Sequence, residues 1–186
     1  MGSVLVIGGG AAGLAAAIAA AECGDAVTVA EKMDRVGKKI LATGNGRCNL
    51  MNTGAPRYPG NAAFAADVLS QCGAEAQKAF WEHLGLRLRQ EEAGRVYPVS
   101  SQASSVLDAL RLQLTALHVR VVTGVSITAL QRENDGWTAL LADGQRFRAN
   151  RVIISGGGCA QPKLGSDGSA LRLLTNLGCP ATPFAP

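Results

Sequence analysis

Apolar positions along this chain fall into two alternating patterns. Ser3–Ile7 is an unbroken aliphatic run, the pattern of a strand covered on both faces in a parallel sheet. Ala11–Cys23 is an alanine-rich stretch that predicts a slim helix, closed by Gly24-Asp25, and Ala26–Ala30 predicts a second strand. Together they form one β-α-β unit of about thirty residues. Glu31–Thr53 is polar and punctuated by glycines, with room for one or two helical turns around Lys38–Thr43. Helices are predicted over Ala62–Cys72 and Glu75–Leu84, where Phe80, Trp81 and Leu84 supply an apolar face suited to core packing. Leu86–Pro98 reads as a hairpin or short irregular strands. Ser101–Leu117 reads as a helix burying Val106, Leu107, Leu110 and Leu114.

The second half returns to strands. Val119–Val122 is a buried one, closed by Thr123-Gly124. Val125–Gln131, Trp137–Leu141 and Gln145–Arg148 alternate and are joined by Asn134-Asp135-Gly136 and Asp143-Gly144, which predicts an antiparallel meander. Val152–Ile154 is a further buried strand running into Gly156-Gly157-Gly158, and Asp167–Leu177 is a last helix. Pro180, Pro183 and Pro186 follow Gly178-Cys179 without sealing the fold, so the expectation is a piece of a longer protein.

Composition narrows the class. With 186 residues, 47% hydrophobic and 17% charged, the chain can bury a core and is too apolar for a disordered segment. Aromatics are only 4%, so that core is aliphatic. The 23 glycines sit in short runs, which excludes collagen and points to tight turns against a ligand. The net charge of +4 is compatible with nucleic acid, but the densest basic segment, Arg35–Arg47, is glycine-rich and lacks interleaved aromatics. No nucleic-acid partner is therefore expected. The five cysteines are odd in number, dispersed and free of CxxC spacing, which argues against a disulfide framework or zinc site and for a reducing cytoplasm. Val4–Ala21 is not a membrane span or signal peptide, because Gly8, Gly9, Gly10 and Gly13 interrupt it and no basic segment precedes it.

The sharpest motif is Gly8-x-Gly10-x-x-Gly13, between a strand and a helix. Gly8 permits the turn, Gly10 lets a pyrophosphate approach bare backbone, and Gly13 lets helix and strand pack closely. The helix end adds N–H donors and partial positive charge. Glu31 ends the second strand near the ~20-residue spacing at which such domains place a ribose-binding carboxylate, and its charge disfavours a 2′-phosphate. From these residues the dinucleotide is either NAD or FAD. The long glycine-rich segment and the meander before the last parallel strand resemble the FAD domain of glutathione-reductase-type flavoproteins. There a strand like Ile153-Ile154-Ser155-Gly156-Gly157 returns beside the glycine loop.

Val36-Gly37-Lys38-Lys39-Ile40-Leu41-Ala42-Thr43-Gly44-Asn45-Gly46-Arg47-Cys48-Asn49-Leu50 closely resembles the signature of the BaiN/YhiN-type flavoproteins, NAD(P)/FAD-dependent oxidoreductases. Gly94–Ser100 and Pro162–Gly168 match as well, and the likeness runs along essentially the whole chain. It implies an α/β fold, a Rossmann-like FAD-binding domain over residues 1–186, with a parallel sheet and a β-meander insertion at 125–148. It implies that Gly8, Gly10, Ala11, Ala12 and Gly13 hold the FAD pyrophosphate. Glu31 would take the adenosine ribose, flanked by Lys32. Lys39, Gly44, Gly46, Arg47, Cys48 and Asn49 would run beneath pyrophosphate, ribityl chain and flavin edge. Val125 would meet adenine through its N–H and C=O, and Gly156 and Gly157 would close the loop side. Met51 departs from a usual threonine, and Cys159-Ala160-Gln161 from a more polar run. The family is longer, with an inserted substrate domain and a C-terminal return segment that this chain does not contain, so self-association through uncovered apolar surface is expected.

No catalytic pair, triad or metal cluster can be assembled. A flavoenzyme needs none, because the cofactor performs the redox step. Cys48 is read as packing rather than nucleophile, with Arg47 the one neighbour able to lower its pKa. His83 and His118 are read as helix-surface residues and Tyr97 as packing. The expected activity passes hydride from NAD(P)H through the flavin to a small organic acceptor, and the alternative is a dinucleotide-binding or sensor module without turnover.

Overall fold

The structure, a computed structural model, describes residues 2–55, 58 and 60–182. Pro183 and Pro186, two of the terminal prolines singled out in the sequence, lie outside the described residues. In chain order, β1 (Ser3–Ile7), α1 (Ala11–Glu22), β2 (Ala26–Glu31) and α2 (Lys38–Ala42) come first. They are followed by β3 (Met51–Asn52), α3 (Ala62–Gln71), α4 (Ala74–His83), β4 (Leu88–Gln90), β5 (Arg95–Pro98) and α5 (Ala103–Ala116). The remainder is β6 (Arg120–Thr123), β7 (Ile127–Glu133), β8 (Gly136–Leu141), β9 (Arg146–Ala149), β10 (Arg151–Ile154) and α6 (Ser169–Asn176). Two compact units result, one formed by the residues up to Lys39 with those from Gln113 onward, the other by Ile40–Leu112.

The first unit is a parallel sheet of order β10-β1-β2-β6 with an antiparallel sheet of order β7-β8-β9. β1 lies between two parallel neighbours, Val6 opposite Val29 on one side and Ile153 on the other. Val4, Leu5, Val6 and Ile7 are all buried, which is why β1 tolerates no polar alternation. The α/β class and the meander insertion read from the sequence are both observed. Leu5, Ile7 and Ala30 of the parallel sheet share a core with Ile127, Ala139 and Leu141 of the meander and with Leu173 of α6. Each large aliphatic there contributes about 1.5–3 kcal/mol by leaving water.

The helix α1 lies close to the turn after β1 because Gly13 faces it. Leu14, Ala17 and Ile18 are fully buried. A Cβ on Gly13 would sit 1.9 Å from the Gly8 carbonyl oxygen and 2.5 Å from Ser155 Oγ. Gly8, at φ 108°, is equally constrained, since its Cβ would meet Gly156 Cα at 2.8 Å. Ser155, the residue after β10, fastens this junction: its N–H donates to the Ile7 carbonyl at 2.8 Å, and its hydroxyl lies 3.0 Å from the Ile7 and Gly8 carbonyls.

In the second unit β3, β5 and β4 form a small antiparallel sheet. The pairing of Met51 with Val96 was not anticipated, because two residues carry no periodicity. Helices α3 and α4 bury no residue completely, and Trp81, expected in the core, is half-buried with its ring edge-on to Phe80 at 5.1 Å. Val106, Leu107, Leu110 and Leu114 of α5 are buried as expected.

Substituting Gly13 by alanine tests the junction. Alanine gains up to about 1 kcal/mol of helix propensity, but a Cβ 1.9 Å from a backbone oxygen cannot be accommodated without moving α1 off the sheet. Urea unfolding should show a net loss of about 2 kcal/mol or more. An unchanged midpoint would disprove the close approach.

Candidate dinucleotide site

The loop between β1 and α1 has one glycine unlike its neighbours. Gly10 adopts φ −81° and ψ −175°, open to any residue, and a Cβ there meets nothing within 4 Å. It is the N-cap of α1, and its helix has no side-chain cap and no acidic residue in its first turn. Ala11 and Ala12 are exposed beside it. The positive end of α1 is thus presented without a side-chain cap or an acidic residue of its own first turn, an arrangement that suits an anion.

Glu31 ends β2 beside this loop and is 8% exposed. Its Oε2 accepts the Gly9 N–H at 2.6 Å and its Oε1 the Met33 N–H at 2.8 Å. A carboxylate offers about four acceptor positions, so these two bonds fix its orientation while leaving capacity for further donors. Gly9, absent from the expected site, proves necessary to it: a Cβ there would come 2.5 Å from Val36 Cγ1. Nothing in a run of three glycines distinguishes the middle one by spacing.

A cavity of about 360 Å³ opens at the same end of the sheet, and Gly8, Glu31, Lys32, Val125, Gly156 and Arg172 contribute to its wall. Val125 is there as expected, with a correction: its N–H already donates to the Glu31 carbonyl at 3.0 Å, so that N–H is not directed at a ligand. Lys32 Nζ reaches Asp167 Oδ1 at 2.5 Å and Ser169 Oγ at 3.1 Å. The Lys32 ammonium, helped by Ser169, holds the Asp167 carboxyl far below the ordinary carboxylate range. Lys39 donates to the Ser166 hydroxyl, and a Cβ on Gly157, at φ 75°, would meet that hydroxyl at 2.9 Å. The Pro162–Gly168 motif thus supplies the counter-groups for both lysines, which sequence spacing could not reveal across more than a hundred residues.

The other expected residues belong to the second unit. Gly44, Asn45, Gly46 and Cys48 have φ of 54°, 53°, 83° and 58°, so the backbone turns through the left-handed region repeatedly. Gly44 is needed sterically, since its Cβ would meet the Asn49 N at 2.8 Å, whereas Gly46 faces open space. Asn49 is exposed. Arg47, expected beneath the cofactor, pairs with Glu91 and lies 4.2 Å over the Tyr97 ring. Glu91 also receives Arg89 at 2.7 Å, and the two guanidiniums, Arg47 first, lower its carboxyl pKa. Tyr97 is buried, in keeping with packing.

Among the described residues no group of three or more histidines, cysteines or carboxylates could hold a metal. His83 and His118 are exposed, outside the glycine loops. Burial raises the Cys48 thiol above its ordinary value, against a lesser opposing pull from Thr43, so the thiolate that nucleophilic chemistry needs is disfavoured. Cys23, Cys72, Cys159 and Cys179 are exposed. Thiol titration of the native protein near neutral pH should therefore count four fast groups and one at least about tenfold slower. Fast modification of all five would contradict the burial of Cys48.

The HI0933-like protein Rossmann domain model matches residues 2–185. The 3-dehydro-bile acid delta(4,6)-reductase of Clostridium scindens is 46% identical over the whole chain, which covers 46% of that protein. The ribosomal RNA dihydrouridine synthase of Haemophilus influenzae is 25% identical over 96% of the chain and 46% of its own length. The chain thus spans about half the length of the curated relatives it matches. Among solved structures, Thermovibrio ammonificans THI4 superposes with a TM-score of 0.56 at 15% identity, over 94% of this chain and 62% of that one, a likeness of fold. With its strand–glycine loop–helix, its strand-end glutamate and this match along nearly its full length, the chain belongs to the HI0933-like Rossmann domain family.

Proposed function

We propose that this chain is the FAD-binding part of a flavin-dependent reductase. The observation that carries the reading is the uncapped positive end of α1, with Gly10 facing open space beside the Glu31 cavity. The residues present fit the group. Backbone N–H groups of Gly10, Ala11 and Ala12 would receive the pyrophosphate, and the spare acceptor positions of Glu31 the ribose hydroxyls. Lys32 would flank that ribose, and Gly8, Gly156 and Gly157 would keep the wall free of side chains. Lys39, Gly44, Gly46, Arg47, Cys48 and Asn49 are assigned to the flavin half by resemblance, Arg47 on condition that it leaves Glu91 or acts through its exposed edge. When bound, FAD supplies two-electron redox chemistry that no side chain offers.

For the whole protein we propose reduction of a polarised carbon–carbon double bond in a small organic substrate. Hydride and a proton would be added across that bond while NAD(P)H is oxidised to NAD(P)⁺. Support comes from the names of the relatives: a delta(4,6)-reductase and a dihydrouridine synthase both denote saturation of ring double bonds. The 46% identity favours an alicyclic enone over a nucleobase.

Gly10→Val should leave urea stability within about 1 kcal/mol of the parent and weaken FAD binding at least about tenfold. A variant that stays as yellow as the parent would refute the phosphate placement. Glu31→Gln keeps one acceptor oxygen and loses the charge, so FAD affinity should fall about tenfold while FMN binding is unchanged. Equal loss of both would make Glu31 purely structural. For the activity, anaerobic NADH or NADPH should bleach the visible flavin absorption of the whole protein, and an enone should restore it. Absence of bleaching by either nucleotide would reject the reductase reading.

A further inference from the structure

A second cavity, of about 250 Å³, opens at the amino ends of β1, β2 and β6 and is walled by β9. It shares no lining residue with the Glu31 cavity. Nucleotides in open α/β sheets bind at the carboxyl ends of the strands, so the fold's usual ligand does not account for this one. On β1, Ser3, Val4 and Leu5 line this cavity, Ile7 and the following Gly8 line the other, and Val6 lies between them.

Three arginines line it: Arg120 from the start of β6, and Arg146 and Arg148 from β9. The Arg120 guanidinium lies 5.8 Å from the Phe147 ring centroid. No aspartate or glutamate is in the wall, where Ser3 and Thr28 are the other polar side chains. None of the three arginines has an ion pair among the described residues. Elsewhere the protein does provide partners: Arg47 and Arg89 share Glu91, and Arg151 meets Asp25 at 3.5 Å. Three like charges around one concavity repel one another unless an anion joins them.

We propose that this cavity is an oxyanion site for a small, multiply charged phosphate-class ligand, pyrophosphate or a phosphate ester. Guanidinium forks match phosphate oxygens two at a time, which a single carboxylate would not repay with three arginines. The volume is below the ~300–1,000 Å³ of drug-sized sites, so a compact anion or one phosphorylated end of a larger molecule enters. The phosphate of a bound dinucleotide would lie at the carboxyl ends of the strands, and no residue lines both cavities, so the two sites would fill independently.

Calorimetric titration with inorganic pyrophosphate at low ionic strength, with and without saturating FAD, is the test. One saturable site is expected in both conditions. Arg120→Gln, Arg146→Gln and Arg148→Gln should each weaken it by at least about fivefold without shifting the melting temperature. Arg132→Gln, on the same meander but outside the cavity, and Gly10→Val should both retain it. Non-saturating heats would overturn the proposal. So would loss in Gly10→Val with retention in the three arginine variants, which would put the anion on the nucleotide loop. An equal loss in Arg132→Gln would reduce the effect to diffuse surface charge and overturn it as well.

Discussion

The contact on which the rest of the first unit depends is the one between bare backbones at Gly8, Gly13 and Gly156. Distances of 1.9 to 2.8 Å from a notional Cβ to its neighbours mean that no side chain fits at Gly8 or Gly13. Because α1 and the end of β10 press so closely on the turn, the first turn of α1 is held at the edge of the sheet with its N–H groups outward. Ser155 closes the junction by engaging the Ile7 and Gly8 carbonyls, which would otherwise be left without partners in a crowded turn. The open helix terminus to which we assign the phosphate thus arises from packing alone.

Charge is then distributed around that junction in a consistent way. Among the described residues the one buried carboxylate is Glu31, and it is held by two backbone N–H groups rather than by a cation, which leaves acceptor positions on both oxygens. Lys32, one residue on, is directed to Asp167 and Ser169 instead. A Lys32–Glu31 pair would have occupied the acceptor positions that the proposed ribose site requires. The partly exposed Lys32–Asp167 pair contributes little to stability, because solvent screens it. Its consequence is positional: it keeps the ammonium from Glu31 and fastens the loop before α6 to the end of β2.

Most of this fold was legible because its elements are long or strongly patterned. The aliphatic runs of β1 and β2, the alanine face of α1 and the turn residues of the meander each specify one structure, and their observed limits differ from the expected ones by a residue or two. The glycine motif and Glu31 were legible for the same reason, since steric need leaves a trace in residue type. What escaped was set by long-range contact. The two-residue β3 exists only through pairing with Val96 and Arg95, and Arg47 finds its partner in Glu91, forty-four residues away. The Val125 N–H is taken by a strand-end carbonyl, a bond dictated by where the meander joins the parallel sheet. None of these leaves a local signature.

The two ends of the parallel sheet differ in how they present positive charge. At the carboxyl end it comes from a helix terminus, a fixed partial charge whose N–H groups have no side-chain cap and whose neighbouring side chains are alanines. At the amino end it comes from whole guanidiniums on β6 and β9, whose side chains rotate and whose charge is about twice as large each. A fixed dipole selects by geometry and tolerates the burial that a dinucleotide's length requires. Mobile guanidiniums select by charge and suit a compact anion that arrives with its own hydration. The two cavities share no lining residue, so under the proposed readings one parallel sheet carries both without either ligand displacing the other.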